Sequence, residues 1–204
     1  MISTLYPIFR RWSETGSVYI LSDMHFEDSD CKLMDPDWIS PDEQVEIINT
    51  VAHKPDTFIC LGDVGNPEYI KKIRAGHKVL ITGNHDRAGR YKNVFDEIYT
   101  GPLFVAENIL LSHEPVYGLS WCLNIHGHDH GTPDMWKEPE THLNLAANVC
   151  EYTPVNLGAL IKAGILAKIP TLHRMTIDNA AKSKEERKRI REWEKQTDDI
   201  RSIL

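Results

Sequence analysis

The 204-residue chain has no long apolar run, no closely spaced cysteine pair, no excess of positive charge and no glycine-rich phosphate loop. Each absence removes a class of protein. No stretch approaches the roughly 20 apolar residues of a membrane span, so a membrane protein is not expected. Near the N-terminus Leu5, Tyr6, Ile8 and Phe9 precede Arg10 and Arg11, the reverse of signal-peptide order. Cys31, Cys60, Cys122 and Cys150 lie too far apart for a zinc-type pair and outline no compact disulfide framework. A reduced, cytoplasmic setting is therefore expected. The formal net charge of -7 disfavours long nucleic acid as a partner. It says little about a small anion, because bound cations reverse the local sign. P-loop and dinucleotide fingerprints are missing. Ser112 precedes a histidine without a nucleophile elbow, so a serine hydrolase is unsupported.

What is present is the composition of a soluble globular domain, 41% hydrophobic and 26% charged. Strand and helix signals alternate without repeats or low-complexity linkers. Strands are expected at Val18–Leu21, Thr57–Leu61, Lys78–Thr82 and Cys122–Ile125, and more weakly at His142–Ala147 and Thr171–Ile177. Leu103–Ala106 and Ile109–Leu111 read as a hairpin turned by Glu107-Asn108. A polar, acidic loop spans Glu27–Ser40. Ser40, Pro41 and Glu43 then carry the signature of a capped helix, with Val45, Ile48, Val51 and Ala52 on its apolar face. Shorter helices are expected at Pro67–Ala75 and Asn156–Leu166.

Five polar fragments follow these strands: Asp23-Met24-His25, Gly62-Asp63, Gly83-Asn84-His85-Asp86, Ser112-His113 and Gly127-His128-Asp129-His130. They offer carboxylates, imidazoles and one neutral amide oxygen, a set suited to divalent cations rather than to a sulfur-bound structural zinc. Strand ends in an open sheet converge on one edge, where loops can aim such groups at a common point. A single Asp63 carboxylate has two oxygens and can bridge two cations about 3.5–4 Å apart. In an extended segment, His126, His128 and His130 would project to one side. Each fragment alone has a bland reading as a turn or a packed histidine; the ordered set does not.

The set resembles the calcineurin-like metallophosphoesterase superfamily over about residues 17 to 160. Residues 83–87, 111–115 and 152–155 are similar to a small bacterial or phage-type subgroup. The resemblance implies an α/β (α+β) fold: a four-layer αββα sandwich of two mixed sheets flanked by helices. It implies that Asp23, His25, Asp63 and His130 hold one cation, and that Asp63, Asn84, His113 and His128 hold the other. Manganese is the first choice, with iron, zinc, magnesium and nickel as alternatives. His85 would stand at the leaving group, with Asp86 orienting its ring. A hydroxide between the cations would attack phosphorus.

The expected activity is hydrolysis of a small phosphodiester or phosphomonoester. The alternatives are a nuclease, which predicts a basic groove, and a non-catalytic metal-binding scaffold, which predicts lost ligands. Arg87, Arg90 and Lys92 are candidate phosphate contacts, and Asn66 a candidate substrate contact. His126 could support a ligand from behind. Trp38, Tyr117, Trp121 and Trp136 are candidates to line a pocket. Residues 1–182 are expected to form the phosphoesterase domain and 183–204 a charged helix, begun by a Ser183/Glu186 capping box. Its stripe of Ile190, Trp193, Thr197, Ile200 and Leu204 would pack on the domain, on a second copy or on another partner.

Overall fold

The computed structural model describes residues 1–131, 140–180 and 186–193. Contacts divide the chain into two units, Met1–Ile169 and Pro170–Leu204.

The first unit contains the strands β1 (Val18–Leu21), β2 (Thr57–Cys60), β3 (His77–Ile81), β4 (Glu97–Tyr99), β5 (Leu103–Ala106), β6 (Ile109–Leu111), β7 (Leu123–His126), β8 (His142–Asn144) and β9 (Val155–Asn156). They form two sheets, ordered β4-β3-β2-β1-β9 and β5-β6-β7-β8. In the first sheet β1 to β4 run parallel and β9 is antiparallel. In the second, β5 and β6 are the expected hairpin, and β6, β7 and β8 run parallel.

Period-two alternation gives β1, β2 and β3 of the first sheet two apolar faces. Val18, Ile20, Ile59, Leu61, Val79 and Ile81 face one core together with Val105, Ile109, Leu111, Leu123 and Ile125 of the second sheet. Leu21, Phe58, Cys60 and Leu80, at the alternate positions, face another core. There they meet helices α1 (Cys31–Met34), α2 (Pro41–Val51), α3 (Glu68–Lys72) and α4 (Ala88–Tyr91). Truncating a fully buried residue such as Ile20 or Ile59 to alanine would cost about 2–5 kcal/mol. Two mixed sheets flanked by helices are the expected architecture. The capping box of α2 is present: Ser40 Oγ accepts from Glu43 N at 3.3 Å, and Glu43 Oε2 accepts from Ser40 N at 2.9 Å.

Several local expectations are corrected. The acidic loop contains the short α1. A 3-10 helix, Pro7–Ser13, precedes β1 and buries Phe9 and Trp12. β4 gave no strand signal because its three residues, Glu97-Ile98-Tyr99, are only half-buried and begin with a charge. Helix α5 (Leu157–Lys162) stops short of the expected Leu166, and Gly164 has φ +87°. In the second unit, the expected strand Thr171–Ile177 is part of helix α6 (Leu172–Ala180). Thr171 precedes that helix, and its Oγ1 accepts from Arg174 N at 3.1 Å, capping the first turn.

Residues 186–193 are helical, with Ile190 and Trp193 exposed. The expected boundary at 182–183, Ser183, the positions Thr197, Ile200 and Leu204, and Trp136 lie outside the described residues. No described helix is long and apolar enough to cross a membrane.

Candidate metal centre

The parallel strands β1, β2 and β3 of one sheet, and β6 and β7 of the other, each run into one of the five polar fragments. Backbone bonds lock the loops together. Asp23 N donates to Gly62 O at 2.9 Å, His25 N to Asp63 O at 3.0 Å, and Gly127 N to His113 O at 2.9 Å. The result is two clusters of donor atoms. Asp23, His25 and His130 form the first; Asp63, His113 and His128 form the second.

In the first cluster His25 Nε2 lies 3.9 Å from Asp23 Oδ1, and His130 Nε2 lies 3.7 Å from the same oxygen. Donors each about 2.1 Å from one cation stand roughly 3–4 Å apart, so these gaps have the size of a shared cation. Asp23 Oδ1 and His25 Nε2 are buried and lack a hydrogen-bond partner. A buried carboxylate oxygen facing an unpaired imidazole nitrogen is costly unless positive charge lies between them. The other Asp23 oxygen, Oδ2, accepts from His128 N at 2.8 Å.

In the second cluster, three acceptor-type atoms crowd His113 Nε2. Asn84 Oδ1 is at 2.8 Å, His128 Nδ1 at 3.1 Å and Asp63 Oδ2 at 3.4 Å. His113 Nδ1 is 2.9 Å from the carbonyl of Leu61, a bond only an N–H at Nδ1 can make. In the neutral ring Nε2 is then a lone pair among lone pairs, an arrangement that a proton or a metal cation resolves. Asn84 Oδ1 thus lies beside the second cluster.

Asp63 Oδ2, of the second cluster, also lies 3.7 Å from His25 Nε2 of the first. Its partner Oδ1 accepts from His85 N at 3.1 Å. One oxygen is therefore anchored and the other faces a ring of each cluster. The residues present fit a dinuclear cation site.

The electrostatics agree. Burial pushes the Asp23 carboxyl up, partly opposed by His113. Burial acts on Asp63 in the same direction, but the hydrogen bond and charge of His113 outweigh it and lower its pKa. Burial would lower the His113 imidazole, yet Asp63 and Asp23 raise it. The acids thus draw positive charge onto a buried ring. Backbone geometry is also unusual. Asp23, His25, Asp63 and His128 have φ of 56°, 42°, 50° and 69°, a region few non-glycine residues occupy. Strain of about 1–3 kcal/mol each is held by the surrounding loops, as at other functional sites.

Glycines make room for the acids. A Cβ on Gly83 would strike the Asp63 carboxylate, and one on Gly127 would strike Asp23 Oδ2 and Ser22 Oγ.

The remaining expectations divide. His85 is exposed beside the cluster, its ring centroid 5.9 Å from that of His25. Asp86 does not take the expected place on the His85 ring. Its Oδ2 accepts from Asp63 N and Gly83 N, and its Oδ1 from Val64 N. Asn66 lines a cavity of about 370 Å³ with His25, Glu27, Asp28 and His85. Of the candidate phosphate contacts Arg87, Arg90 and Lys92, Arg90 lines that cavity. A second cavity of about 560 Å³, lined by Trp38 among others, adjoins it at His25, Glu27 and Asp28. His126 is in neither cluster. It ends β7, is fully buried, and burial pulls its imidazole down to about 4. The extended segment assumed for residues 126–130 breaks at His128, so His128 and His130 serve different clusters. Sequence reasoning missed Asp28 and Asn148, whose oxygens lie 3.0 and 3.1 Å from Nδ1 of His25 and His130. No motif or spacing marks either.

Residues 16–198 match the family described as calcineurin-like phosphoesterase. Among solved structures, a protein of unknown function from Aquifex aeolicus is similar, at 24% identity and a TM-score of 0.60, covering 72% of this chain and 98% of that one. The nuclease MPE of Pseudomonas putida is similar at 22% identity and a TM-score of 0.40, over 54% of this chain and 60% of that one. No curated protein matches the chain.

Proposed function

Because the chain belongs to the calcineurin-like phosphoesterases, we propose that it hydrolyses a small phosphodiester or phosphomonoester with two divalent cations. The observation that carries this reading is Asp63 Oδ2, which is 3.7 Å from His25 in one donor cluster and 3.4 Å from His113 in the other. Asp23, His25, Asp63 and His130 would hold one cation, and Asp63, Asn84, His113 and His128 the second. When bound, the cations supply Lewis-acid polarisation of phosphoryl oxygens and a nucleophile near neutral pH. Manganese is the proposed pair, since mixed oxygen and nitrogen donors accept it.

The chain's own residues do the rest. Asp63 fixes the spacing between the two clusters. His85, exposed beside the first cluster, holds a proton for the departing ester oxygen. Asp86 acts through the backbone, by holding the turns that present Asp63 and Asn84. Arg90 faces the cavity beside His85, where a phosphate oxygen or a substituent of the substrate would meet it.

Glu27, Asp28, Asp37 and Glu43 line the two cavities beside the cluster. This acidic rim supports a small substrate over a nucleic-acid polymer. A scaffold role is disfavoured by the full donor set and by His85. The four cysteines are free thiols, which supports a reducing, cytoplasmic compartment.

The test is hydrolysis of bis-p-nitrophenyl phosphate and p-nitrophenyl phosphate by chelator-stripped protein, with and without manganese. Asp63→Asn and His85→Ala run beside the wild type. Activity restored by metal and lost in both variants is the expected result, and the preferred ester separates diesterase from monoesterase. A wild type that takes up no metal sinks the reading.

A further inference from the structure

The two imidazoles of the first cluster are each held from behind. His25 Nδ1 lies 3.0 Å from Asp28 Oδ2, and His130 Nδ1 lies 3.1 Å from Asn148 Oδ1. A carboxylate oxygen and an amide oxygen only accept, so both bonds require the proton on Nδ1. That tautomer puts the lone pair on Nε2. Nε2 is the atom of each ring that faces Asp23 Oδ1, at 3.9 and 3.7 Å.

We propose that Asp28 and Asn148 are positioning residues for the first cation, fixing the tautomer and aim of His25 and His130. The proposal rests on the two-cation reading above. Both partners are themselves fastened. Glu27, at φ 62°, turns the chain back. Asp28 N then donates to His25 O at 3.0 Å, and Asp28 Oδ1 accepts from Asp30 N at 3.0 Å. Cys31 Sγ adds a contact to the same His25 carbonyl at 3.4 Å. On the other side, Asn148 Nδ2 donates to His130 O at 2.7 Å and to Asp35 Oδ2 at 3.2 Å. Those two bonds decide which end of the amide meets the ring. The donors are thus set before any cation arrives.

The two supports are unequal. Asp28 brings a charge and Asn148 does not, and a charge-assisted hydrogen bond is roughly twice as strong as a neutral one. A carboxylate behind a ligating imidazole also makes that ring the better donor. Removal of Asp28 therefore costs more affinity than removal of Asn148. Neither residue belongs to the second cluster, so the second cation is spared.

The experiment titrates the full metal-free chain with manganese by calorimetry. It compares the wild type with Asp28→Ala, Asp28→Asn and Asn148→Ala. Long-range proton–nitrogen NMR of the histidine rings in the metal-free proteins gives a readout independent of turnover. In the wild type His25 and His130 are expected as Nδ1–H tautomers, with two manganese sites. Asp28→Ala should weaken one site about 10–100-fold, leave the other unchanged, and move His25 toward the Nε2–H form. Asn148→Ala should weaken the same site less. Asp28→Asn should recover part of the affinity, since its amide oxygen still accepts. If every variant binds two manganese ions as tightly as the wild type, the positioning proposal falls and the two-cation reading stands. A wild type that binds no manganese ends both. An Nε2–H tautomer at His25 and His130 in the wild type overturns the proposal even if Asp28→Ala fails to fold.

Discussion

The Asp86 carboxylate is bonded to the backbone of Asp63, with Oδ2 accepting the Asp63 amide proton at 2.8 Å. The same carboxylate takes the amides of Gly83 at 2.9 Å and Val64 at 3.2 Å. One side chain thus ties the loop after β2 to the loop after β3, and Asp63 is the residue that faces rings of both donor clusters. Hydrogen bonds to a charged group contribute about 1.5–3 kcal/mol each, and the three act together. Asp86→Ala is expected to lower stability by about 2–4 kcal/mol and to lose both cations rather than one. Thermal unfolding and metal content by elemental analysis check this. A variant that keeps both metals and melts like the wild type would leave Asp86 without the part assigned to it. His85→Ala, by contrast, should keep both metals and lose turnover by about 10²–10⁴-fold.

Gly127→Ala probes the wall behind Asp23. The added methyl would meet Asp23 Oδ2 and Ser22 Oγ, which are packed against the Gly127 backbone. Asp23 is fully buried, and its Oδ2 is already held by His128 N, so it has little room to yield. Overpacking of this kind costs about 1–3 kcal/mol. The shift should fall on the first cluster. Urea unfolding with and without manganese should show a less stable protein whose remaining stability responds weakly to metal. Metal-dependent stabilisation equal to the wild type would mean that Asp23 tolerates the methyl.

The strands that matter most were readable because each joins an apolar run to a polar turn: Val18–Leu21 before Ser22-Asp23, and Thr57–Cys60 before Gly62-Asp63. Motif order survives in sequence, so seven candidate ligands could be named there; six of them fall in the two donor clusters, with Asn84 beside His113. What escaped depends on contacts made across space. Asp86 sits next to His85 in sequence, yet its partners include amides 23 and 22 residues away. Asn148 reaches His130 over 18 residues of chain. Arg87, Arg90 and Lys92 were all candidates in sequence, and only the fold singles out Arg90 as the one lining the cavity. β4 is held by register with β3 and not by its own composition.

Metal should stabilise the fold as well as activate it. Asp23 Oδ1 and His25 Nε2 are buried without a hydrogen-bond partner, a cost that a cation removes. At 100 times its dissociation constant, a ligand that binds only the folded state adds about 2.7 kcal/mol. For a domain of this size that is on the order of 5–10 °C in melting temperature. Chelator-stripped wild type should therefore melt lower, and manganese should restore it. Asp63→Asn, which weakens both clusters together, should show less than half of the gain. Equal melting with chelator and with manganese would contradict a cation bound at these residues.

Far from the metals, Glu97 ties the N-terminal 3-10 helix to the first sheet. Arg11 NH2 lies 2.7 Å from Glu97 Oε2, and Trp12 Nε1 donates to Oε1 at 3.0 Å. His77 Nε2 stands 2.6 Å from Oε1, and Tyr99 OH donates to Oε2 at 2.6 Å. Burial alone would raise this carboxyl. The hydrogen bonds from Arg11, Tyr99, Trp12 and His77 outweigh it and hold the pKa at about 2, against an ordinary 4.5. A depressed carboxyl contributes stability that is fully present above its unfolded pKa and lost as pH falls through its folded one. The window is therefore pH 4.5 down to about 2. The contribution at neutral pH is on the order of 3 kcal/mol. Other carboxylates titrate in the same range, so the readout is the difference between wild type and Glu97→Gln. Urea unfolding at pH 7, 4 and 2.5 should show a gap that is wide at pH 7 and narrows steadily in acid. Two stability curves that stay parallel to pH 2.5 would mean that the Glu97 cluster carries no acid-sensitive share of the fold.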